Sequence, residues 1–532
     1  MLRLRSPLWL LCLFAAGFSF ATSRAEDFPL VVTTDPLTPA EQQKKFHLPP
    51  GFEIQLVAAE PEVRKPINLN FDPAGRLYFS QSVEYPFAAK AGAKARDTVR
   101  VIEEIGPDGR AAKVRTAVDG LNIPIGVLPL HDRLLVFSIP NIYSCRDEDG
   151  DGVYEKREVL FGPFGDRDTH GLNNGFTRGL DGWIYACHGF ANDSRVRGRD
   201  GNEVVMNSGN TYRFRADGSR IEHYTHGQVN PFGLCFDPLG NLFSADCHTL
   251  PAYMLLRGAY YPSFGKPHDG LGFGPPIMSH SHDSTGIAGI VYYAAEHFPP
   301  EYRDTLFIGN PITHRVNHDK LDWHGSTPTA VEQPDFVKCD DPWFRPVDLK
   351  LGPDGALYIA DFYNRIIGHY EVDLHHPGRD RERGRIWRVV YKGTAENPVE
   401  PPKLPDLTKL DLDGLIEKLG DSNFAVRTMA THEIVDRYAS QAVSRTSELL
   451  GENNLSAVQR AHAAYVLARL HEREAIEPLC ADQDWKVRVH AIRALAGMKV
   501  GDSGLPIHKS VVELIVRALY DQNPMVVRAT AE

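Results

Sequence analysis

The sequence predicts an all-β six-bladed β-propeller followed by an all-α solenoid of HEAT-type repeats. A phrase of strand, tight Asp/Gly turn and second strand recurs six times in the first part of the chain. An alanine-rich helical phrase with a regularly placed arginine recurs in the last quarter, after a proline-rich stretch. Four-stranded units repeated at about 40–60 residues are typical of propeller blades, and repeated helix pairs are typical of α-solenoids.

Residues 1–25 have the pattern of an export signal. Arg3 and Arg5 precede an apolar run, and Ser23 and Ala25 stand at the positions that a signal peptidase reads. The apolar run is shorter than the roughly 20 residues needed to span a bilayer, so we expect cleavage after Ala25 rather than a membrane anchor. This predicts an exported protein that is periplasmic or associated with the cell envelope.

The composition is that of an acidic globular protein. Of its 532 residues 42% are hydrophobic, and the formal net charge is -11. The chain is therefore long enough for two or more domains, and its charge gives no support for a nucleic-acid partner. The cysteines are scattered, and neither C-x-x-C nor C-x-x-C-H occurs, so we expect no haem site. Export permits disulfides, but the spacing identifies no pair.

We expect the propeller to occupy residues 26–393. Each unit reads as an apolar strand, an Asp/Pro/Gly turn, a second alternating strand and further short strands. The first apolar residues after the six turns are 50 to 64 residues apart: Leu77, Leu134, Ile184, Leu242, Leu306 and Leu357. A β-helix or a pair of sandwiches would show shorter periods or no repeat. If the strand before each turn is innermost, the strand ends remote from the turns meet at one mouth of the channel.

Two rings of polar residues are predicted at this mouth. Four positions after the marker residues stand Gln81, Ser138, His188, Asp246, Asn310 and Asp361. The entries to the inner strands carry Asn68, Asn122, the group His170, Asn173 and Asn174, then Asn230, the pair His282 and Asp283, and Arg345. Such side chains fix ligands by hydrogen bonds, so we expect a cofactor to contact Asn173, Asn174, His188, Asn230, Asp246, His282, Asp283, Arg345 and Asp361. Alternatively, the asparagines cap turns and the histidines line a hydrated channel.

The segment RDTHGLNN, residues 167–174, carries the candidate catalytic pair. As the loop between the outer strand of one blade and the inner strand of the next, it would lay His170 across the mouth. Asp168 is close enough to orient the imidazole and to tune its pKa, as a general base requires. We therefore expect His170 and Asp168 to be catalytic.

The segment DEDGDGVYEKRE matches the calcium-loop pattern. Asp147, Asp149, Asp151, Gly152, Val153 and Glu158 stand at positions 1, 3, 5, 6, 7 and 12 of that pattern. The flanking segments look like strands, so this is not a helix-loop-helix hand. We expect a structural calcium ion that holds two outer strands together; the alternative is an acidic hairpin turn open to water.

Residues 394–410 form a proline-rich linker, and residues 411–532 form HEAT-like repeats. Arg427, Arg460, Arg488 and Arg528 mark successive units. Because each solenoid repeat touches only its neighbours, we expect the propeller and the solenoid to be separable at the linker. The last unit stops within its own helix at Glu532 without a polar capping repeat, so we expect the solenoid to be truncated here and the natural chain to continue.

Taken together, these motifs resemble the exported membrane-bound dehydrogenase family of the PVC bacterial group, whose propeller is akin to the soluble quinoprotein glucose and sorbosone dehydrogenases. The resemblance is carried by DEDGDGVYEKREVLF, RDTHGLNN, HSHDSTG, FRPVDLKLGPDGALYIADFYNRIIGH and PGRDRERGRIWRV. It implies an oxidoreductase that oxidises a sugar or polyol with pyrroloquinoline quinone and calcium. By position in the matching loops, His170 would be the base, and Arg345 and Asn230 would contact the quinone.

Members of that family commonly continue after the HEAT repeats into a cytochrome c-like domain, whose C-x-x-C-H site this chain lacks. The resemblance therefore implies that electrons pass to a haem domain or protein partner outside these residues, reached through the HEAT repeats. Two other functions stay open. One is a non-catalytic propeller that binds carbohydrate or protein while the solenoid recruits a partner, and the other is a calcium-dependent lactonase-type hydrolase.

Overall fold

A computed structural model describes residues 28–90, 92–369, 371–452, 455–498 and 509–532. The predicted signal, residues 1–25, lies outside the described residues. Six β-sheets surround a central axis, and a helical region follows them, so the predicted fold class is confirmed. Within the ranges given above, no helix combines the length and the apolar character needed to cross a membrane.

The six blades follow one another along the chain, and the inner strand of each comes first. Three short elements precede them: α1 (Pro39–Gln43), β1 (Phe46–His47) and β2 (Phe52–Ala59). Blade 1 contains β3 (Pro66–Phe71), β4 (Leu77–Gln81), β5 (Asp97–Ile105) and β6 (Ala111–Leu121). Blade 2 contains β7 (Gly126–Pro129), β8 (Leu134–Ser138), β9 (Asn141–Arg146) and β10 (Lys156–Phe161).

The next two blades depart from the four-stranded plan. Blade 3 contains β11 (Asn174–Arg178), β12 (Ile184–His188), β15 (Asn210–Phe214) and β16 (Ile221–His226), with an added hairpin of β13 (Asp193–Arg197) and β14 (Glu203–Asn207). Blade 4 has three strands: β17 (Asn230–Phe236), β18 (Leu242–Cys247) and β19 (Ala252–Leu255). The long segment 256–289 then leads to blade 5 and touches its outer strand, where Ala330 donates a backbone hydrogen bond to the carbonyl of Ile277.

Blades 5 and 6 include strands from the start of the chain. Blade 5 contains β20 (Ile290–Tyr293), β21 (Thr305–Asn310), β22 (Arg315–His324) and β23 (Thr327–Cys339), with β1 at its outer edge. Blade 6 contains β24 (Pro346–Leu351), β25 (Leu357–Asp361) and β26 (Arg385–Tyr391), and β2 is its outermost strand. The pairing of β2 with β26 places Phe52 opposite Tyr391. This pairing closes the ring, which leaves no open edge at the junction of the first and last blades.

The recurring Asp/Gly turns join each inner strand to the second strand. In blade 1 the Asp72 carboxylate accepts hydrogen bonds from the backbone N–H groups of Ala74 and Arg76, at 3.0 and 2.8 Å. Asp237 holds the turn of blade 4 in the same way. In blade 6 the aspartate is the third residue of the turn, where Asp354 accepts from the backbone N–H of Ala356. The sequence repeat therefore reflects turns that a short side-chain acceptor stabilises from within.

Glycines let neighbouring inner strands approach closely. Gly233 has a φ of +97°, and a Cβ atom added there would lie 2.9 Å from the Cα of Gly289. A Cβ added at Gly289 would lie 2.7 Å from the Cα of Asp348 in the next inner strand. Only glycine permits these backbones to pack at such distances, so blades 4, 5 and 6 meet tightly around the axis.

The helical region stacks short helices through repeated ion pairs. Its helices are α2 (Leu412–Lys418), α3 (Phe424–Glu433), α4 (Ala442–Leu450), α5 (Ala457–Arg469), α6 (Arg473–Ile476), α7 (Trp485–Gly497), α8 (Lys509–Ala518) and α9 (Pro524–Ala531). Arg460 donates two hydrogen bonds to Asp482, at 2.7 and 3.0 Å. Arg488 pairs with Asp521 in the same way, at 2.8 and 2.8 Å. Each acid precedes the next helix, so the recurring arginines link successive repeats.

The helices pack against the lower face of the propeller, the face formed by the Asp/Gly turns. Arg178 at the end of β11 pairs with Asp436, and the backbone N–H of Phe424 donates to the carbonyl of Ala294 at 2.9 Å. Leu239, in the turn of blade 4, packs into an apolar cluster of the last helices. The helices thus cover apolar and polar groups of the turns, and the separability of the two units at the linker stays a prediction.

The cysteines are not paired in the described residues. Cys145, Cys187, Cys235, Cys247, Cys339 and Cys480 are free thiols. Burial raises the pKa of the Cys145 thiol to about 11. A thiol in such an apolar setting stays protonated at neutral pH and is a weak nucleophile.

Candidate functional site

The two ends of the central channel differ in chemistry. At the lower end, residues from all six inner strands and from the helical region enclose a cavity of about 820 Å³, which the helices cover. The upper mouth is the end at which the inner strands begin and the second strands finish. The predicted catalytic loop, residues 167–174, lies at this upper mouth.

Asp168, His170 and His369 meet at the upper mouth. His170 Nδ1 lies 3.2 Å from Asp168 Oδ1, and His369 Nε2 lies 3.1 Å from the same oxygen. The two imidazole rings are stacked at a tilt, with centroids 3.8 Å apart. Asp168 is buried, whereas His170 and His369 keep 14% and 19% of their side-chain surface exposed. The predicted pair is therefore in contact, and a second histidine joins it.

Burial and hydrogen bonding set the protonation states of this group. Burial alone would raise the pKa of Asp168, but the hydrogen bonds from His170 and His369 outweigh it and hold the pKa well below the usual range. Burial is the largest influence on His170 and lowers its pKa, against the opposing effect of Asp168. The pair at neutral pH is thus a carboxylate beside a neutral imidazole, the state that a general base requires.

The imidazole of His170 has one nitrogen available for chemistry. With Nδ1–H directed at Asp168, Nε2 is the acceptor, and it is buried without a hydrogen-bond partner among the described residues. Three other mouth residues of the sequence prediction share this feature, at Asn68 Oδ1, Asn173 Nδ2 and Arg345 Nη2. Buried polar atoms nearly always have partners, so such atoms mark places where a ligand or water is bound.

The loop that carries His170 is held by backbone and amide hydrogen bonds. Asp168 Oδ1 accepts from the backbone N–H of His170 at 2.9 Å, a local turn that aspartate favours. The Asn192 amide donates to the carbonyls of Asp168 and Gly171, at 2.9 and 2.8 Å. Asn230 donates to the carbonyl of His170 at 3.1 Å. These hydrogen bonds fix the backbone that carries the His170 imidazole.

Aromatic side chains surround the pair of His170 and Asp168. The Tyr85 ring meets His170 edge-to-face with centroids 5.0 Å apart, and Phe362 packs against Tyr85 at 5.8 Å.

The sequence prediction missed His369. This residue belongs to the long connection between β25 and β26, far from His170 in sequence. The histidine content of that connection, with His369, His375 and His376, was the signal that could have identified it.

The polar residues at the ends of the second strands brace loops. Asp361 Oδ1 accepts from the backbone N–H groups of Arg345 and Tyr363, both at 2.9 Å. Its Oδ2 accepts from Gln42 and Trp387, at 3.1 and 3.2 Å. Because Asp361 is fully buried and both oxygens are occupied, it does not reach a ligand in this arrangement.

Asp246 and His188 are placed in the same way. Asp246 accepts from two backbone N–H groups of the loop entering blade 4, at 3.2 and 2.7 Å, and burial raises its pKa to about 7. His188 is fully buried, and its nitrogens are bonded to the Ser208 carbonyl and the Ser194 hydroxyl, each at 2.7 Å. The predicted ligand contact of Asp246 and His188 is therefore corrected to a role in positioning loops.

The predicted amides divide between bracing and the mouth. Asn174 donates to two backbone carbonyls and accepts from the N–H of Gly233, so its amide is fully occupied. Asn230 accepts from the N–H of Phe190 at 3.0 Å besides its bond to the catalytic loop. Asn173 Oδ1 accepts from the Tyr212 hydroxyl at 2.9 Å, which leaves its Nδ2 as the uncommitted atom.

The two residues that the resemblance implies for the quinone are both largely engaged in hydrogen bonds with the protein, and quinone binding stays a prediction. Arg345 is fully buried, with Nε donating to the Asn364 carbonyl at 3.1 Å and Nη1 to the Pro311 carbonyl at 2.6 Å. Burial lowers its pKa to about 9. Nη2 is the one nitrogen of its guanidinium without a hydrogen-bond partner among the described residues, whereas the Asn230 amide is already occupied.

The side chain of His282 is directed away from the mouth, although its backbone carbonyl accepts from Asn310 Nδ2, at the end of β21, at 3.0 Å. The His282 ring lies between Asp319 of β22 and Glu332 of β23, on the outer strands of blade 5. Asp283 is exposed beside it. The sequence prediction assumed that the chain enters the inner strand directly, whereas residues 277–283 first run along the outer strands of blade 5.

The predicted calcium loop is the exposed hairpin between β9 and β10. The carboxylates of Asp147, Asp149 and Asp151 offer oxygens within 4.8 Å of one another. Val153 donates its backbone N–H to Asp151 at 2.7 Å. Glu158 forms an ion pair with Arg199 of another hairpin at 2.7 Å, so its carboxylate does not serve as the twelfth-position calcium ligand in this arrangement. Three oxygen ligands suit calcium, and its binding here stays a prediction.

Comparison with known proteins identifies the family. A family model described as "Domain of unknown function (DUF7133)" matches residues 38–393. The chain belongs to the DUF7133 family. No curated protein matches this DUF7133 chain. The relation to the PVC-type membrane-bound dehydrogenases stays a prediction.

Solved structures similar to this DUF7133 chain are propellers at low identity. A "glucose dehydrogenase" is 17% identical with a TM-score of 0.41, over 63% of this chain and 98% of that one. A luciferin-regenerating enzyme is 14% identical with a TM-score of 0.41, over 66% and 99%. A virginiamycin B lyase from Staphylococcus aureus is 14% identical with a TM-score of 0.33, over 64% and 99%. Identities and scores this low transfer no activity to the DUF7133 chain.

Proposed function

We propose that the upper mouth is the active site of an exported oxidoreductase that acts on a hydroxyl group of a sugar or polyol. One observation carries this proposal: His170 Nε2 is buried with no hydrogen-bond partner in the part of the chain that the structure describes, while Asp168 fixes the opposite ring nitrogen at 3.2 Å. This is the arrangement of a general base that an acid orients. The aromatic side chains Tyr85 and Phe362 beside it supply an apolar surface of the kind that pockets for small polar ligands combine with a few polar groups.

The residues support the first half of an alcohol oxidation. His170 Nε2 takes the hydroxyl proton, and the imidazolium that forms is stabilised by the Asp168 carboxylate. The hydride on the carbon that bears this hydroxyl passes to a two-electron acceptor that the chain itself does not supply, and the substrate becomes a carbonyl compound or a lactone. His369, stacked on His170, keeps the imidazole in place and restricts water around it.

The same geometry supports a second candidate, hydrolysis of a lactone. The observation that it rests on is the same pair, with Asp168 Oδ1 3.2 Å from His170 Nδ1 and with Nε2 as the acceptor. In hydrolysis His170 Nε2 would take the proton from a water molecule instead of a substrate hydroxyl. Both reactions depend on His170, so a His170 variant would lose both. The two functions are distinguished by which substrates the chain converts.

The further expectations for cofactors and partners stay proposals. Calcium would bind at the hairpin of blade 2, away from the mouth, and would stabilise two outer strands. A haem domain or a protein partner that contacts the helical region would reoxidise the reduced two-electron acceptor in the cell. The proposed reaction needs neither for a test with an added acceptor.

The test is an activity screen of the purified chain. Aldoses and polyols are offered with a phenazine dye as acceptor, with and without added pyrroloquinoline quinone and calcium, and lactones are offered separately with acid release as readout. Dye reduction that depends on a sugar or polyol supports the oxidoreductase. Acid release from lactones without dye reduction supports the hydrolase, and sugar binding in calorimetry without either reaction would contradict catalysis.

A further inference from the structure

A second cluster of chemically active side chains lies away from the mouth, on the outer strands of blade 5. His280 Nε2 lies 2.7 Å from Asp319 Oδ1, and His282 Nε2 lies 2.8 Å from Asp319 Oδ2. His282 and Asp319 have almost no exposed side-chain surface, at 1% and 0%, and His280 is 20% exposed. Two imidazoles thus point their Nε2 atoms at the two oxygens of one buried carboxylate.

We propose that His280, His282 and Asp319 bind a divalent transition-metal ion, with zinc as the preferred ion. Two imidazole nitrogens and one carboxylate oxygen are ligands that zinc takes at about 2.0–2.2 Å. A tetrahedral ion at that distance sets its ligand atoms about 3.3 Å apart, so each of the two nitrogen–oxygen contacts needs to lengthen by only about half an ångström.

The other ring nitrogen of His282 has the partner that metal-bound histidines have. His282 Nδ1 lies 3.2 Å from Glu332 Oε1. A histidine that binds a metal through Nε2 donates its Nδ1–H to a carboxylate or carbonyl, which fixes the ring and strengthens the ligand. Glu332, on the strand next to Asp319, is therefore the residue that positions His282.

Without a cation, the same contacts are harder to satisfy. A neutral imidazole carries one N–H, whereas both nitrogens of His282 face carboxylates, and His280 directs its own nitrogen at Asp319. A bound dication meets both imidazole lone pairs and the Asp319 charge at once. The competing arrangement is a hydrogen-bonded network of protonated histidines, which requires no metal.

Three protein ligands leave one coordination position open. His280 is the ligand that is partly exposed, so the open position faces solvent on the side of the segment 256–289. That segment connects the three-stranded blade 4 to blade 5, and an ion would fasten it to β22. The site is distinct from the mouth, where Asp168, His170 and His369 form their own group.

The first test is metal binding by the purified chain. The chain is stripped with a chelator, titrated with zinc in calorimetry and separately with cobalt, whose visible absorption reports coordination by nitrogen and oxygen. We expect one zinc ion per chain from this site, with cobalt bands that zinc displaces. Zinc that leaves the heat signal and the cobalt spectrum of the wild-type chain unchanged would overturn the proposal.

Variants assign the ion to this cluster. His280→Ala is expected to weaken zinc binding at least about 100-fold, and Glu332→Ala by about 10- to 100-fold, as loss of a positioning partner does. The matched controls are His170→Ala, which removes a histidine from the mouth, and Asp283→Ala, which removes an exposed acid beside His282. Zinc binding that His170→Ala abolishes and His280→Ala leaves unchanged would overturn the assignment.

Discussion

Arg178, at the end of the inner strand of blade 3, forms a two-point ion pair with Asp436 of the helical region, with nitrogen–oxygen distances of 2.5 and 2.9 Å. Both side chains are mostly buried, at 12% and 19% exposure. Arg469 donates to the same carboxylate at 3.0 Å. The pair thus joins the propeller to the helices at the lower end of the channel.

Breaking this pair is expected to destabilise the chain as a whole. Arg178→Ala leaves a mostly buried carboxylate with Arg469 as its remaining partner, so we expect a loss of about 1–3 kcal/mol, below the about 3–5 kcal/mol of an unpaired buried charge. Thermal unfolding by calorimetry measures the effect, and the control is Arg445→Ala, which breaks an exposed pair with Asp413 and should change the melting temperature little. Equal melting temperatures for Arg178→Ala and the wild-type chain would show that the domains are independent.

Removal of the proposed base should affect turnover more than stability. His170→Ala is expected to lower turnover about 10²- to 10⁴-fold, the usual contribution of a general base, while the melting temperature stays nearly unchanged. His375→Ala is the matched control, because that ring is 78% exposed. Turnover that both variants retain would rule out His170 as the base.

The pH dependence follows from the lowered pKa of His170. Burial lowers the pKa of the His170 imidazole below its ordinary value of 6.5. The neutral, active form therefore persists as the pH falls past 6.5 and is lost only at lower pH. The acid limb of kcat/KM and the titration of the His170 ring proton in NMR should both have midpoints below pH 6.5. A midpoint above 6.5 would mean that Asp168, and not burial, dominates.

Calcium should stabilise the hairpin of blade 2 through three carboxylates. We expect calcium to raise the melting temperature of the wild-type chain and not that of Asp149→Ala. Glu158→Gln should keep the calcium response, because Glu158 pairs with Arg199. If Glu158→Gln loses the response as Asp149→Ala does, the loop closes around the ion with Glu158 as a ligand.

The bracing role of Asp361 predicts a stability defect. Asp361→Ala removes the acceptor of two backbone N–H groups and of two side chains, and each buried donor left unpaired costs about 1–3 kcal/mol. A loss of at least about 3 kcal/mol in denaturant unfolding is therefore expected. Asp340→Ala, at a half-exposed position, should stay within about 0.5 kcal/mol of wild type.

The repeat and the local pair were predictable from sequence because they depend on neighbours along the chain. Asp/Gly turns followed by apolar markers recur at a fixed offset, and Asp168 reaches His170 within a single turn. The histidines of the last connection are visible in the sequence, but the contact of His369 with Asp168 was not predictable, because the two residues are 201 positions apart.

The direction of a side chain was also beyond the sequence. Asp246, Asp361 and His188 have the residue types of ligand contacts, but those types also cap backbone groups. Whether such a side chain contacts a ligand or caps a backbone group depends on the direction in which the strand pleat points it, and each of these three side chains points toward a loop. The packing of the helices against the propeller was not predictable from the sequence either, because the arginines that pair across domains resemble those that pair within repeats.

The strand β2 is made early in synthesis, whereas its partner β26 follows more than 300 residues later. Until β26 arrives, β2 is an unpaired, largely apolar segment, and such segments are prone to aggregate or to pair with other chains. Completion of the ring is thus a non-local step with a large chain-entropy cost. A circular permutant that begins at β3 and carries β2 directly after β26 would make the whole of blade 6 from consecutive residues, and it would turn the last closure into an ordinary hairpin.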